Sequence, residues 1–230
     1  MTNDQTTIRP ALPTDVPSLT TLLPRSFFPT NPTVKRALPD TPLMRQWWAL
    51  VYNEEISNPA CHLYVAVSSS SSSASSTDGV IGMASLRLHS PGDTYGGFWT
   101  QHAWTADHGE EVWRPAIDCM VEYERRLMGE RRHGLLEMVA VDDKWKGKGV
   151  GRMLVGKMCE VADAERVEIF LQSGGARGYY LKLGMGFGIE AEPEWEGYRA
   201  CLLTRAIGGR KHSGKGRSRE HGDGRSSEQE

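Results

Sequence analysis

Lys146-Gly147-Lys148-Gly149-Val150-Gly151-Arg152 joins an apolar run, Leu135 to Val141, to a segment whose apolar residues repeat at helical spacing from Val150. Glycines at alternate positions let the backbone come close to a ligand, and the first N–H groups of a helix have no partner inside it. With the positive end of the helix dipole and the side chains of Lys146, Lys148 and Arg152, this stretch predicts an anion cradle, and phosphate is the expected anion. A nucleotide P-loop ends in Gly-Lys-Ser/Thr, which Gly151-Arg152 does not supply. The dinucleotide fingerprint, G-x-G-x-x-G soon after a strand, fails as well: Gly151 is followed by Leu154, and both glycines stand well beyond Val141. What fits is Q/R-x-x-G-x-G/A between a strand and a helix, matched at both glycines with Lys146 in the first place.

One acid, Glu137, interrupts the apolar run before the loop. Simple strand alternation puts Glu137, Val139 and Val141 on one side. A carboxylate on a buried strand needs a partner or a task. It can pair with a basic neighbour, sit at a wetter strand end, or serve as a general base.

The elements that must hold these residues alternate along the chain. Thr7 to Arg9 reads as a first strand, and Val16, Leu19, Leu22 and Leu23 as a helix face behind Thr14. Met44, Trp47, Trp48, Val51 and Tyr52 mark a second helix. Leu63 to Val67 and Val80 to Leu86 read as neighbouring strands joined by a loop over 68–78, in which Ser68 to Ser76 is almost all serine. A glycine- and aromatic-rich loop, Ser90 to Ala106, leads to a helix marked by Trp113, Ile117, Met120 and Leu127. The helix from Val150 follows the glycine loop. A strand at Val167 to Leu171, a short helix at Ala176 to Leu183 and a closing hairpin of Phe187–Ala191 with Tyr198–Thr204 complete the pattern. This implies an α/β chain with a mixed sheet and helices on both faces, one domain over 1–207. The tail over 208–230 lacks apolar side chains and is expected to be disordered, with a basic cluster at Arg210, Lys211, Lys215, Arg217 and Arg219.

Composition narrows the classes. A formal net charge of −2 offers no general attraction to nucleic acid or anionic membranes. No apolar run approaches the ~18 residues of a membrane helix, and Met1 to Pro10 lacks a signal-peptide core. Cys61, Cys119, Cys159 and Cys201 are far apart with no C-x-x-C pair, so neither zinc nor a disulfide framework is suggested. His62, His89, His102 and His108 show no metal spacing, and no metal is inferred. A reducing cytoplasmic setting is expected, with a nuclear address through the basic tail as the other option.

The run from Val139 to Gly151, together with Gly178-Tyr179-Tyr180-Leu181-Lys182-Leu183-Gly184, resembles the GNAT superfamily of acyl-CoA-dependent N-acetyltransferases. The second segment is similar to the family's closing F/L-Y-x-x-L-G-F element, and the resemblance spans most of residues 6 to 205. The long helix before the fourth strand also looks similar to the puromycin N-acetyltransferase-like branch. Three departures stand out: Lys146 for the usual Gln or Arg, Asp143 where proline is common, and Met185-Gly186-Phe187 where a single Phe is usual.

The resemblance implies a central sheet splayed between its fourth and fifth strands, with coenzyme A in the opening. Backbone groups of Val139, Ala140 and Val141 would pair with the pantetheine arm and polarise the thioester carbonyl. Lys146, Gly147, Lys148, Gly149, Val150, Gly151 and Arg152 would hold the pyrophosphate. Tyr180 is the implied acid for the departing thiolate, unless it packs with Tyr179 in the core. Glu137 is the candidate base, a role that some members give to water. Trp47, Trp48, Tyr52, Trp99 and Trp104 fall in segments that flank the acceptor pocket, although helix-face tryptophans also build cores. The implied activity is transfer of an acetyl group from acetyl-CoA to a primary amine by direct attack in a ternary complex, by a monomer or homodimer. The alternatives are an acyl-CoA sensor without turnover and a protein N-acetyltransferase docked through the tail.

Overall fold

The computed structural model describes residues 6–68, 79–195 and 198–209. The serine-rich segment after Ser68 and the tail after Gly209, both expected to be unstructured, lie outside the described residues. The chain runs β1 (Thr6–Pro10), α1 (Val16–Phe27), α2 (Pro32–Ala37), α3 (Pro42–Ser57), β2 (Cys61–Ser68), β3 (Val80–His89), α4 (Phe98–Gln101), α5 (Glu110–Met128), β4 (His133–Val141), α6 (Val150–Ala164), β5 (Glu168–Ser173), α7 (Arg177–Lys182), β6 (Phe187–Ala191), β7 (Glu194–Trp195), β8 (Tyr198–Arg199) and β9 (Cys201–Arg205).

Local chemistry explains the helix starts. Thr41 accepts the Met44 N–H ahead of Pro42, and Asn31 accepts the Val34 N–H ahead of Pro32. Both place a capping side chain before a proline whose missing N–H costs nothing at the first helical position. Asn31-Pro32 was the available signal for α2, which hydrophobic spacing alone does not reveal in so short a segment.

The main sheet has the order β1-β2-β3-β4-β5-β9-β6. β1 to β4 are antiparallel neighbours, β4 and β5 are parallel, and β9 enters antiparallel between β5 and β6. Side chains of α1, α3 and α5, among them Leu19, Trp48, Val51 and Ile117, fill one face. α6 and α7 cover the other with Leu154, Val155, Met158 and Tyr180. The mixed sheet with helices on both faces is the architecture implied by the sequence. No helix among the described residues is long and apolar enough to cross a membrane.

Two corrections come from this packing. The Gly208 N–H donates to Asp163 Oδ1 at 2.7 Å and Gly209 N–H to the Ala206 carbonyl at 2.9 Å, so ordered chain continues to Gly209 rather than ending at 207. The alternation assumed along β4 also fails. The β3 partners jump from Met138 opposite Ser85 to Leu136 opposite Leu86, leaving Glu137 as an extra residue. A bulge of this kind shifts parity. Val139 and Val141 pack with the α6 cluster, while Glu137 reaches Ser85 and Arg87 on the opposite face.

α6 approaches the sheet closely at Gly82. A Cβ there would meet the Ala140 carbonyl oxygen and Leu154 Cδ1 at 3.0 Å each. Valine is the better strand former, yet Gly82→Val is expected to destabilise the protein by about 1–3 kcal/mol through overpacking. Urea unfolding read by circular dichroism checks this; an unchanged or raised midpoint would contradict the close approach.

Candidate active site

β4 and β5 pair only at His133–Glu168, Gly134–Ile169 and Leu135–Phe170. Beyond Leu135 the strands separate, and burial records the parting. His133 to Leu136 are buried, whereas Glu137, Met138, Val139 and Val141 are only partly so. An unpaired strand edge offers its N–H and C=O groups to an extended ligand, as in strand addition. The gap is therefore lined by the backbone of β4, whose Val141 N–H donates to Ser26 Oγ at 3.1 Å.

The glycine loop begins where β4 ends. Asp142 accepts the Lys144 N–H at 3.1 Å and pairs with Arg25 at 2.5 Å, which fixes the turn out of the strand. Gly147 and Gly149 have φ of 76° and 85°, the region that favours glycine, and a Cβ at either would meet nothing within 4 Å. Gly149 is the N-cap of α6; it makes no side-chain cap, and no acid lies in the first turn. The N–H groups of Val150, Gly151 and Arg152 thus begin a fifteen-residue helix without a capping side chain. Such an end attracts an anion.

The basic side chains turn elsewhere. Lys146 Nζ donates to the Ser26 carbonyl at 2.6 Å and to Asp143 at 2.9 Å. Lys148 Nζ lies 4.4 Å from the Trp145 ring centroid, and Arg152 donates to the Leu183 carbonyl at 2.8 Å. These contacts brace the loop against α1 and α7, which leaves anion recognition to the backbone.

Tyr180 is buried among apolar side chains, its ring 5.2 Å from Tyr179 and 5.4 Å from Phe187. Burial raises its pKa, with the neighbouring Tyr179 adding to the effect, so it stays a phenol. Despite the two extra residues in Met185-Gly186-Phe187, Phe187 still packs on this ring. Tyr179 was passed over in the sequence. Its hydroxyl would lie 2.6 Å from a Cβ placed at Gly151, over the first turn of α6, and burial pushes its pKa up to about 12.

Glu137 stands in a closed network. Its Oε1 accepts from Arg87 Nε at 2.9 Å and from the Phe98 N–H at 2.8 Å, and its Oε2 from Ser85 Oγ at 3.2 Å. Its side chain is 0% exposed, so what can be reached at this residue is backbone. A Cβ at Gly97, where φ is 56°, would overlap Oε1, which accounts for glycine there. Arg87 also pairs with Glu54 at 3.0 Å. Glu55, which no reading of the sequence singled out, is buried on α3 with Oε2 3.0 Å from Ser85 Oγ; as the protonated acid it donates to that oxygen, whose own hydrogen goes to Glu137. Burial, then the charge of Glu137, raises its pKa well above the usual range.

The aromatic residues proposed as pocket walls mostly face each other. Trp47, Trp48, Tyr52 and Trp99 are buried, and Trp47 Nε1 donates to the Ala103 carbonyl at 2.9 Å. Trp104 is half-buried between His108 and the Arg114 guanidinium, which lies 4.0 Å from its ring centroid.

Glu55 has a measurable consequence. Its folded pKa lies above its unfolded one, so the folded state holds an extra proton between the two values and stability falls as pH rises through that window. Glu55→Gln keeps the shape and removes the proton exchange. The variant is expected to gain melting temperature over the parent at pH 8 and little at pH 4.5, as differential scanning calorimetry at both values would show. Parallel pH profiles would mean that Glu55 is ionised in the fold.

The profile described as "Acetyltransferase (GNAT) family" matches residues 18–185. No curated protein matches the chain. Among solved structures, the histone acetyltransferase HPA2 and related acetyltransferase from Corynebacterium glutamicum aligns at a TM-score of 0.54 with 18% identity, covering 88% of this chain and 96% of that one. NAA60 from Arabidopsis thaliana, in complex with a bisubstrate analogue, gives 0.54 at 12% identity, covering 90% and 100%. The C-terminal condensation domain of Ebony, in complex with beta-alanyl-dopamine, gives 0.62 at 10% identity, covering 88% and 99%. At such identities the likeness is one of fold, while the profile match covers well over half the chain. The chain belongs to the GNAT family of acetyltransferases.

Proposed function

We propose that the chain transfers an acetyl group from acetyl-CoA to a primary amine, with small amines as the acceptor class, by direct attack in a ternary complex. The observation that carries this reading is the parting of β4 from β5 after Leu135, beside the uncapped start of α6. N–H groups of Val150, Gly151 and Arg152 would hold the pyrophosphate. The parted edge from Glu137 to Val141, where the Val141 N–H donates to Ser26 Oγ at 3.1 Å and would have to leave it to take part, would hold the pantetheine arm and the thioester carbonyl.

In the transfer a C–N bond forms, a C–S bond breaks, sulfur gains a proton and the amine loses one. Tyr180, kept neutral by burial, is the proposed donor to sulfur. Glu137 is the proposed sink for the amine proton. With no side-chain surface exposed, it takes that proton through water rather than by touching the amine. Glu55, already neutral, does not compete.

The enclosure of Tyr180 and Glu137 favours a second reading, an acyl-CoA sensor without turnover. Thiol release from acetyl-CoA against a panel of aminonucleosides, polyamines and peptide N-termini, with products identified by mass, separates the two. Tyr180→Phe and Glu137→Gln are each expected to lower kcat by roughly 100-fold. Activity within twofold of the parent would remove the role from that residue, and no thiol release with any amine would leave the sensor.

The cradle has its own test. Asp is among the side chains that tolerate a left-handed conformation, so Gly149→Asp is expected to fold while placing a negative charge against the pyrophosphate. Calorimetry should show acetyl-CoA binding weakened by roughly tenfold or more, about 1.4 kcal/mol, with Gly149→Asn much less affected. Equal affinity in the Asp variant and the parent would show that the pyrophosphate lies elsewhere.

A further inference from the structure

His89 ends β3, His133 begins β4 directly opposite it, and Glu124 lies on α5. All three are buried, with His89 and His133 2% exposed and Glu124 0% at its side chain. Glu124 Oε1 is 2.9 Å from His133 Nε2 and 3.0 Å from His89 Nδ1, and one ligand atom from each residue falls within 4.8 Å of the others. The two separations from Glu124 are a few tenths of an ångström under the edge of a tetrahedron, about 3.3 Å for ligands about 2.0–2.1 Å from one ion, so a small outward shift would admit one.

The hydrogen bonds around the cluster point the same way. His133 Nδ1 sits 2.8 Å from the Arg131 carbonyl, which can only accept, so Nδ1 carries the hydrogen. In the neutral ring this turns the Nε2 lone pair toward the carboxylate of Glu124, acceptor against acceptor. Either a proton or a cation must lie between them. The Gly96 N–H holds Glu124 Oε2 at 2.8 Å. An imidazole anchored by its far nitrogen to a carbonyl, beside a carboxylate anchored by its second oxygen, is the outer arrangement found around metal ligands.

His89 supplies the independent observation. Although Nδ1 is 3.0 Å from Glu124, neither of its ring nitrogens has an aligned hydrogen-bond partner among the described residues. Burying an imidazole without partners is costly, and a proton on His133 does nothing for His89. A cation shared by the three residues would engage His89 Nδ1 and His133 Nε2 at once. His89 also lines an open cleft with Asn58, Gly92, Asp93 and Thr94.

We propose that His89, Glu124 and His133 bind one zinc ion that ties α5 to the β3–β4 pair. Two imidazoles and one carboxylate are a donor set suited to zinc, with a fourth position left for water. Sequence spacing did not predict it, because three residues on three separate elements leave no short motif.

The test uses the full chain, without an affinity tag, stripped with chelator and titrated with cobalt(II) and then zinc. One equivalent of cobalt should give visible d–d bands of a four- or five-coordinate site, bleached by zinc, and zinc should raise the melting temperature. His89→Ala and Glu124→Gln should each weaken zinc binding by roughly 100-fold or more. His212→Ala/His221→Ala, in the tail, should bind as the parent does. Failure of the parent to take up either metal would mean that a proton holds the cluster, and the proposal falls. It falls equally if His89→Ala binds normally. Should His89→Ala not fold, the parent's stoichiometry and the Glu124→Gln spectrum decide.

Discussion

Glu137 is one residue too many for the ladder that β4 makes with β3, and the buried guanidinium of Arg87 lets the chain keep it there. A bulge adds twist and bends its strand, and after this one β4 no longer follows β5. The extra residue is an acid turned into the interior, where a lone carboxylate would be prohibitive. Arg87, the Phe98 N–H and Ser85 supply its donors. Arg87 is shared with Glu54, so the cluster carries one cation against two carboxylates and cannot hold a third. That is why burial and Glu137 together keep Glu55 neutral. Removing Arg87 would leave two acids without their cation, a loss on the order of 3–5 kcal/mol for a buried pair.

The gap alone would recognise any extended chain. What adds selectivity for a phosphate is the placement of the α6 start at its mouth, which rests on a different contact. Gly82 lets α6 settle on β3 at the level of Ala140, and Asp142 pins the turn between them. Lys146 and Arg152 spend their charge on Ser26, Asp143 and Leu183, so they act as braces. A cradle of fixed N–H dipoles needs no rearrangement when an anion arrives, whereas long basic side chains must be ordered first.

The fold was legible where chemistry is local. Lys146 to Arg152, the helix behind it and the Tyr180 element could be read because glycine conformation and helix ends act over a few residues. Thr41-Pro42 and Asn31-Pro32 were equally local, though both were overlooked. Glu137 was found as a lone acid, but its direction was misread, since a bulge depends on the register with β3. Glu55 and Tyr179 gave no signal. One looks like any helix acid and the other like half of a tyrosine pair until the fold brings Ser85 and Gly151 against them. The tryptophans show the converse: Trp99 sits in a loop by sequence, yet its ring belongs to the core.

β4 thus carries two kinds of chemistry at its two ends. Toward Val141 the strand has no neighbouring strand on one side, where the Val141 N–H donates to Ser26 Oγ, and in the proposed function its backbone would hold the substrate. Toward His133 it is paired on both sides, and backbone hydrogen bonds are spent, so only side chains can add anything. The β3–β4 pair must withstand the bend at Glu137 without slipping register, because a one-residue slip would turn every side chain over. A cross-strand link at His89 and His133, four residues before the bulge, anchors the ladder where such a slip would have to begin. Bringing Glu124 into that link fastens α5 as well, and α5 holds β5 through Gln172, whose side chain donates to the Ala116 carbonyl at 3.0 Å. The closed end of the β4–β5 pair is therefore clamped by side chains from both strands' neighbours, which lets the other end stay open without the sheet coming apart.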